Sequence, residues 1–239
     1  MIKLSIKRDS LLKSLQLVAG VVERRQTLPI LSHILLIIQN KILTIVGTDL
    51  EVELCGLTQL ESATKKTAEI TLPGKKFLDI CRALPENSIL ELTEEKGRII
   101  ISSGRSRFVL ASLPAKDFPR SPTQENVLEF GITQDALRKL IEKTSFAIPQ
   151  QDVRQYLNGL LFEVKDGLIQ ALATDGHRLA MSSIASPVVD SSFAQVIIPR
   201  KGVFELLRLL EPSDKEVLVS FNNNFVRVKG DDFVLTSKL

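Results

Sequence analysis

The sequence repeats itself, and this repeat constrains the fold more than any other feature. Three pairs of segments carry matching residues at one constant spacing of 126 positions. The matching residues are Asp9 and Asp135, Thr48 and Thr174, and Pro73 and Pro199. Near the end the spacing becomes 125, where Phe108 matches Phe233, which we interpret as a drift across a hairpin. A shared spacing over so many segments predicts two copies of one structural module.

Each copy shows the same order of periodic patterns. A short alternating strand, at residues 2–6 and again at 127–132, precedes a helix with apolar residues at helical spacing. More strands, a helix preceded by proline and two hairpins follow. The strands of the first copy are expected near 33–39, 41–47, 50–57 and 67–72, and the four helices over 9–22, 74–84, 134–146 and 200–210, with Asp9 and Asp135 as N-caps. The sequence therefore predicts an α+β fold, in which each module packs two helices on antiparallel sheets.

A proline-rich stretch separates the two copies. Pro114, Pro119 and Pro122 lie within fourteen residues that also carry charged and polar side chains. Because proline lacks a backbone donor and interrupts regular structure, this stretch is predicted to be a linker. We place the first domain at residues 1–122 and the second at 123–239, and 239 residues are enough for two domains of ordinary size.

Positive charge is concentrated in the predicted helices. The net charge of the chain is +3, yet the four helix windows carry +5, which leaves −2 for the remainder. The basic residues are Lys13, Lys75, Lys76, Arg82, Arg138, Lys139, Lys143, Arg200, Lys201 and Arg208. Since the apolar faces of these helices must be buried on the sheets, the bases are expected to point outward. They form either a surface for a polyanion or ordinary solvated helix faces, and the count alone does not separate the two.

Several classes of protein are disfavoured by the composition. No apolar run approaches the length of a membrane span, and the N-terminus alternates instead of forming a signal-peptide core. The two cysteines are too few for a disulfide framework, so we expect a cytoplasmic protein. The two cysteines and two histidines also lack the spacing of a zinc site, and no phosphate-binding glycine loop is present.

The stretch Ala173–Ala180, ATDGHRLA, is the strongest candidate for chemistry. Asp175 and His177 could form an acid–base pair, but a general base needs a third group to orient it. The first copy carries Thr-Asp at the matching place, Thr48–Asp49, without histidine or arginine after it. We therefore predict that the Thr-Asp turn is architectural. The following Gly-His-Arg-Leu belongs to the second copy alone and favours a recognition surface over catalysis.

Six stretches resemble, in order, the bacterial sliding clamp, the β subunit of DNA polymerase III. They are TLPILSHILL (27–36), GTDLEVE (47–53), SGRSRF (103–108), DVRQYLNGLLFE (152–163), ATDGHRLA (173–180) and IPRKGVFELLRLL (198–210). The resemblance covers essentially the whole chain. It implies a processivity factor that encircles duplex DNA as a ring, with sheets outside and basic helices around the hole. It implies no catalytic activity and no cofactor.

The resemblance also implies a peptide-binding pocket and DNA-contacting residues. In the family, the polymerase III catalytic subunit, other polymerases and the clamp loader insert short peptides into an apolar pocket. The pocket residues carried over are Leu157, Thr174, Gly176, His177, Arg178 and Leu179. The DNA-contacting residues carried over are Arg25, Gln151, Tyr156, Lys201 and Arg208. The family often has a second aromatic residue before the tyrosine, where this chain has Gln155.

The sequence resembles two of the three modules of the family. Two family chains close into a homodimeric ring through module one of one chain and module three of the other. The edge implied for this contact comprises Arg105, Arg107, Phe108 and Leu110. We expect a chain truncated at Leu239, by design, cleavage or a break in the gene, and no homodimer between two copies of it.

Two other functions remain as alternatives. An enzyme acting through Asp175, His177 and Arg178 would lose turnover, but not partner binding, when His177 is replaced. A DNA-binding scaffold without peptide docking would show no chemical-shift change around Leu179 with a Gln-x-x-Leu-Phe peptide.

Overall fold

The computed structural model describes residues 3–22, 28–122, 128–185 and 194–239, with the backbone alone for 62–66. The chain divides into two compact units. The first comprises Met1–Ser121 with Asp232–Val234, and the second comprises Pro122–Asp231 with Leu235–Leu239. A short segment late in the chain therefore groups with the first unit, which a single linear boundary does not capture.

The first unit contains two helices and six strands among the described residues. In chain order they are β1 (Lys3–Lys7), α1 (Arg8–Val18), β2 (His33–Thr48), β3 (Val52–Pro73), α2 (Gly74–Ala83), β4 (Ile89–Glu95), β5 (Arg98–Ser103) and β6 (Ser106–Ala111). Strands β1, β4, β5 and β6 form one antiparallel sheet in the order β1-β4-β5-β6, and β2 pairs with β3.

The second unit repeats this plan with its strands divided. Its elements are β7 (Leu128–Thr133), α3 (Gln134–Glu142), β8 (Gly159–Lys165), β9 (Leu168–Thr174), β10 (Leu179–Ala185), β11 (Ala194–Pro199), α4 (Arg200–Leu209), β12 (Glu216–Phe221), β13 (Phe225–Lys229) and β14 (Phe233–Lys238). One sheet has the order β10-β9-β8-β11, and β7, β12, β13 and β14 are successive neighbours in another. The α+β prediction is confirmed.

Strand register makes the repeat explicit. In the first unit His33 is opposite Pro73 and Thr48 is opposite Glu53, while in the second Gly159 is opposite Pro199 and Thr174 is opposite Leu179. Each pair is shifted by the 126 positions found in the sequence. The long strands β2 and β3 thus correspond to β8, β9, β10 and β11. Shifts of register between Ile38 and Ile42 mark the place where we expected separate strands, although β2 continues through them.

At the last hairpin the structure gives a different repeat spacing from the 125 positions assigned from the sequence. Strands β6 and β14 begin at Ser106 and Phe233, which are 127 positions apart, not 125. Backbone bonds beyond their ends agree, since Ser112 N–H donates to Gly97 O and Leu239 N–H donates to Asn224 O, both at 2.9 Å. The matching Phe-Val-Leu letters therefore do not occupy equivalent positions. Strand pairing fixes the register, and a side-chain match displaced by two residues still faces the same side of the sheet.

The predicted N-caps were wrong. Helix α3 is capped by Thr133, whose hydroxyl accepts a 3.3 Å bond from Ala136 N–H, and α1 follows directly on Lys7. Asp135 lies in the first turn and its carboxylate pairs with Lys139 at 2.7 Å. Asp9 accepts from Arg8 at 2.6 Å and from Asn87 N–H at 2.9 Å. The strands enter the helices without a loop, so the cap falls on the last strand residue and not on the acid.

The helices bury the apolar faces that the sequence predicts. Leu11 and Leu15 of α1 are buried, as are Phe77 of α2, Leu137 of α3 and Leu206 of α4. This packing leaves charged side chains on the outward faces, as expected for amphipathic helices. Helices α1 and α3 end four residues earlier than predicted, at Val18 and Glu142.

Candidate functional site

The turn between β9 and β10 is held by its own side chains. Thr174 Oγ1 donates to the Arg178 carbonyl at 2.7 Å and accepts from Gly176 N–H at 3.1 Å. Asp175 Oδ1 accepts from the N–H groups of His177 and Arg178, both at 2.9 Å. Gly176 has φ +87°, a left-handed conformation that glycine adopts readily.

The first unit contains the same turn. Thr48 Oγ1 donates to the Val52 carbonyl at 3.0 Å, and Asp49 Oδ1 accepts from Glu51 N–H at 2.9 Å and Val52 N–H at 2.8 Å. Leu50 has φ +79°, at the position of Gly176. The prediction that Thr-Asp is architectural is confirmed, because the turn forms with different residues at the other three positions.

Asp175 does not act on the imidazole of His177. Besides two backbone bonds, its carboxylate accepts from Arg178 Nε at 3.0 Å. The N–H groups of His177 and Arg178, followed by the Arg178 side chain, hold the pKa of Asp175 below its usual value. His177 is exposed, and the carboxylate that could orient its ring is bonded to the turn. The acid–base pair considered from the sequence is not formed.

Arg154 connects the preceding loop to this turn, and sequence reasoning missed it. Its Nε and Nη2 donate to the two carboxylate oxygens of Asp152 at 3.0 and 2.8 Å, and Nη2 also reaches the Asp175 carbonyl at 3.4 Å. Asn158 bonds both the N–H and the carbonyl of Asp152 at 2.8 Å. Leu157 N–H donates to the Arg154 carbonyl at 2.9 Å, so Leu157 is positioned by the same loop. The only sequence signal was the Asp-x-Arg spacing in DVRQYLNG.

The Asp152–Arg154 pair should give the loop a specific pH dependence. Hydrogen bonds from Arg154 lower the pKa of Asp152 to about 2. Because the folded pKa is depressed, the stabilisation is complete above the ordinary pKa of 3.8 and is lost as the pH falls towards 2. We expect a carboxyl NMR titration to give Asp152 a midpoint near 2, and Arg154→Gln to move that midpoint upward. A midpoint that stays unchanged in Arg154→Gln would contradict the assignment.

Apolar side chains near the turn are unusually exposed. Leu179 is 66% exposed and Met181, two residues along β10, is 61% exposed. Phe146 is 57% exposed in the short 3-10 helix Ser145–Ala147, with the Arg178 guanidinium 5.5 Å from its ring centre. Phe146 is the last residue of the predicted helix 134–146, but α3 ends before it, at Glu142. Of the predicted pocket residues, hydrogen bonds join Thr174, Gly176 and Arg178, while Leu157 is half-buried and His177 and Leu179 face solvent.

The basic residues of α3 and α4 are only partly available to a polyanion. Arg138 pairs with Glu142 at 2.8 Å and Arg208 pairs with Glu205 at 2.8 Å. Arg200 donates to the carbonyls of Ile148 and Pro149 at 2.7 and 3.2 Å, so it anchors a loop. Counting Arg200 among outward-facing bases was therefore wrong: its guanidinium satisfies buried backbone acceptors instead.

The other residues predicted to contact DNA differ in their exposure to solvent. Gln151 and Tyr156 are exposed, and Lys201 is half-buried. Arg25 lies outside the described residues. In the first unit, α2 exposes Lys76 and Arg82, and Lys75 is half-buried.

Strand β6 is the end strand of its sheet in the described part of the chain. Arg105 and Arg107 are exposed, whereas Phe108 is half-buried and Leu110 belongs to the core. Val109, which sequence reasoning omitted, is exposed on the opposite face and lines a cavity of about 490 Å³ with Arg98 and Arg107. The exposed side chains along this edge are therefore Arg105, Arg107 and Val109.

Residues for other chemistry are scarce in the described ranges. Among them, no three histidine, cysteine, aspartate or glutamate side chains cluster in a way that could hold a metal ion. Burial raises the pKa of Cys81 to about 12, so its thiol is a weak nucleophile. No helix in the described ranges is long and apolar enough to cross a membrane.

Two consecutive parts of the chain match models of known protein domains. Residues 2–122 match the model of the DNA polymerase III beta subunit N-terminal domain, and residues 131–239 match that of its central domain. The chain belongs to the DNA polymerase III beta subunit family. The resemblance inferred from the sequence is confirmed, and the two matched ranges correspond to the N-terminal and central domains of that family.

Relatives of the DNA polymerase III beta subunit family agree closely in sequence and structure. The chain is 49% identical over 235 residues to the beta sliding clamp of Pseudomonas aeruginosa, covering 98% of this chain and 64% of that protein. The crystal structure of the Pseudomonas aeruginosa subunit superposes with a TM-score of 0.96 at 48% identity, over 100% of this chain and 64% of that one. The Caulobacter crescentus subunit gives 0.91 at 37% identity, over 99% and 65%. The chain thus spans about two thirds of the length of its relatives.

Proposed function

We propose that this chain supplies two modules of a sliding clamp, a processivity factor that holds the replicative DNA polymerase on duplex DNA. The observation that carries the proposal is the match of both structural units, in order, to the first two domains of the beta subunit family. We also propose that the boundary between the two domains lies between residues 122 and 123. A clamp retains DNA by topology, so each module needs only weak contacts with phosphates.

We propose that two residues of α4, together with three residues outside the four α-helices, contact the DNA backbone. The residues assigned are Arg25, Gln151, Tyr156, Lys201 and Arg208. Each protein–phosphate contact releases counterions without regard to sequence, which allows sliding. The ion pair between Arg208 and Glu205 supports a weak contact, because the guanidinium must exchange partners to reach a phosphate. An exposed tyrosine could stack on a sugar or base.

The DNA proposal is tested by charge reversal on α4. Binding of the chain to a labelled duplex should be weak and should fall steeply with salt. Lys201→Glu with Arg208→Glu should reduce the slope of log affinity against log salt by about two, one for each lost phosphate contact. The matched control is Lys165→Glu with Lys229→Glu, which reverses two exposed charges on strands of the same unit. Equal effects of the two pairs would reduce the proposal to nonspecific net charge.

We propose that Leu157, Thr174, Gly176, His177, Arg178 and Leu179 form the wall of a peptide-binding pocket. Its partners are the polymerase III catalytic subunit, other polymerases and the clamp loader. The exposed Leu179 beside the rigid Thr-Asp turn supports this, because an apolar side chain held on an ordered backbone can anchor a peptide at low entropic cost.

Two further proposals concern the edge strand β6 and the cellular location of the protein. We propose that β6, with Arg105, Arg107, Phe108 and Leu110, is the edge that meets the third module of a second full-length chain, and that two copies of this chain alone do not form the ring. The buried state of Leu110 supports a contact made through the strand edge. We assign no catalytic role, since Asp175 is committed to its turn. We place the protein in the cytoplasm, since two cysteines are too few for a disulfide framework.

A further inference from the structure

In the second unit, the loop at residues 148–158 is fastened at both ends by Arg200, the first residue of α4. The Arg200 guanidinium donates to the carbonyls of Ile148 and Pro149, at the start of the loop, at 2.7 and 3.2 Å. The backbone N–H of Arg200 donates to the carbonyl of Asn158, at the end of the loop, at 2.9 Å. The two ends of the loop are therefore tied to the same helix terminus.

Asn158 also closes the loop internally, through its side chain. Its Oδ1 accepts from the N–H of Asp152, and its Nδ2 donates to the carbonyl of Asp152, both at 2.8 Å. The Asp152 carboxylate in turn accepts from the backbone N–H of Arg154 at 2.8 Å and from its guanidinium at 3.0 and 2.8 Å. The Arg154 carbonyl accepts from Leu157 N–H at 2.9 Å. The half-buried Asn158 side chain thus joins the two ends of a segment that contains both Arg154 and Leu157.

The first unit forms the same short turn. Its 3-10 helix Pro29–Ser32 corresponds to Gln155–Leu157 of the second unit at the repeat spacing of 126 positions. Within it, Leu31 N–H donates to the Leu28 carbonyl at 3.1 Å, which is the bond between Leu157 and Arg154 moved by one repeat. The backbone of the turn is therefore common to both copies.

The side-chain bonds around the turn belong to the second copy alone. Ser32 stands 126 positions before Asn158, and its hydroxyl donates to the Pro29 carbonyl at 2.7 Å, only three residues away. Gly74 stands 126 positions before Arg200 and has no side chain that could reach the preceding loop. Since the turn forms in both units, the two side-chain bonds of Asn158 are not needed to form it.

We propose that Asn158 is a positioning residue for peptide docking, because its bonds across the loop hold Leu157 and Arg154 beside the Thr-Asp turn. Arg154 Nη2 reaches the Asp175 carbonyl of that turn at 3.4 Å, and Leu179 follows the turn directly. A loop that is already held in one conformation lowers the entropic cost of binding a peptide. This inference rests on the proposed peptide-binding function and adds a residue that acts through the loop.

The test replaces Asn158 by serine, the residue of the first copy. We expect Asn158→Ser to weaken binding of a labelled Gln-x-x-Leu-Phe peptide by on the order of tenfold, because the peptide must then order the loop as it binds. A carboxyl NMR titration should show the pKa of Asp152 rising from about 2, since its pair with Arg154 is loosened. The titration reports the loop in the absence of peptide, so a loss of affinity can be traced to the loop.

Asn222→Ser is the matched control. Asn222 also closes a loop through its side chain, since its Oδ1 accepts from the N–H groups of Asn224 and Phe225 at 2.9 and 3.0 Å in the β12–β13 turn. We expect this variant to lower the melting temperature about as Asn158→Ser does, while its peptide affinity and the pKa of Asp152 stay those of the parent chain.

Four results would contradict the positioning role. Parent-like affinity of Asn158→Ser would overturn it and leave the proposed pocket standing. Equal losses of affinity in Asn158→Ser and Asn222→Ser would assign the effect to general stability. A loss of affinity with an unchanged pKa of Asp152 would show that Asn158 acts on the peptide directly and not through the loop. No binding by the parent chain would overturn the peptide pocket itself, and this inference with it.

Discussion

Gly159→Ala is expected to destabilise the second unit by about 2–3 kcal/mol, as a side chain forced into a packed contact does. A Cβ at this position would lie 2.5 Å from the Ile198 carbonyl oxygen and 2.7 Å from Ile197 Cγ2. The first of these atoms is backbone of the neighbouring strand β11 and cannot move without disturbing the β8–β11 pairing. A thermal unfolding scan should show the melting temperature falling by on the order of 5–10 °C.

Gly131→Ala is the matched control for this prediction. Gly131 is also a strand glycine in the second unit, but a Cβ there would meet the Glu216 carboxylate at an ordinary 3.4 Å. Reducing the entropy of the unfolded chain should then raise stability by about 0.4–1 kcal/mol. The same loss of stability in both variants would show that the close approach at Gly159 is not the cause.

Leu179→Asp is expected to weaken peptide binding by on the order of 30-fold, the cost of losing one apolar anchor of about 2 kcal/mol. Because Leu179 is 66% exposed, the substitution should leave the melting temperature nearly unchanged. The measurement is a titration of a labelled Gln-x-x-Leu-Phe peptide, with chemical shifts of Leu157 and Leu179 followed in the parent chain.

Ile89→Asp provides the control for Leu179→Asp. Ile89 is an apolar strand residue in the other unit and is 53% exposed, so its replacement adds the same charge to a similar surface. We expect its peptide affinity to equal that of the parent chain. Parent-like affinity of Leu179→Asp would remove Leu179 from the pocket, and equal losses in both variants would point to charge alone.

Much of the fold could be predicted because its signals are local. Apolar spacing located the helices, and alternation located the strands. The repeat showed that the Thr-Asp turn is structural, and the hydrogen bonds of the Thr174 hydroxyl and of Asp175 Oδ1 stay within five residues, Thr174–Arg178. The N-caps failed because Asp9 and Asp135 are as suited to a first turn as to a cap, and only the length of the preceding strand decides between them.

The candidate site was less accessible to sequence reasoning. Arg154 bonds a carbonyl 21 positions away, and Arg200 bonds one 52 positions away. Both acceptors are backbone carbonyls, so no residue type in the sequence indicates which ones these arginines bind. Phe146 was assigned to a helix that ends before it, which hid an exposed aromatic residue beside Arg178.

The sequence by itself determined the two-module architecture, the order of elements and the structural turn, since periodicity and short-range hydrogen bonding are written in neighbouring residues. Only the tertiary structure decided which bases are bonded inward, and that Leu35 and Val46 are buried in a cluster with Phe118. Their counterparts in the second copy, Leu161 and Leu172, are only half-buried. Burial depends on what packs against a face, and these two positions carry apolar residues in both copies. The difference between them arises from contacts made by residues distant along the chain.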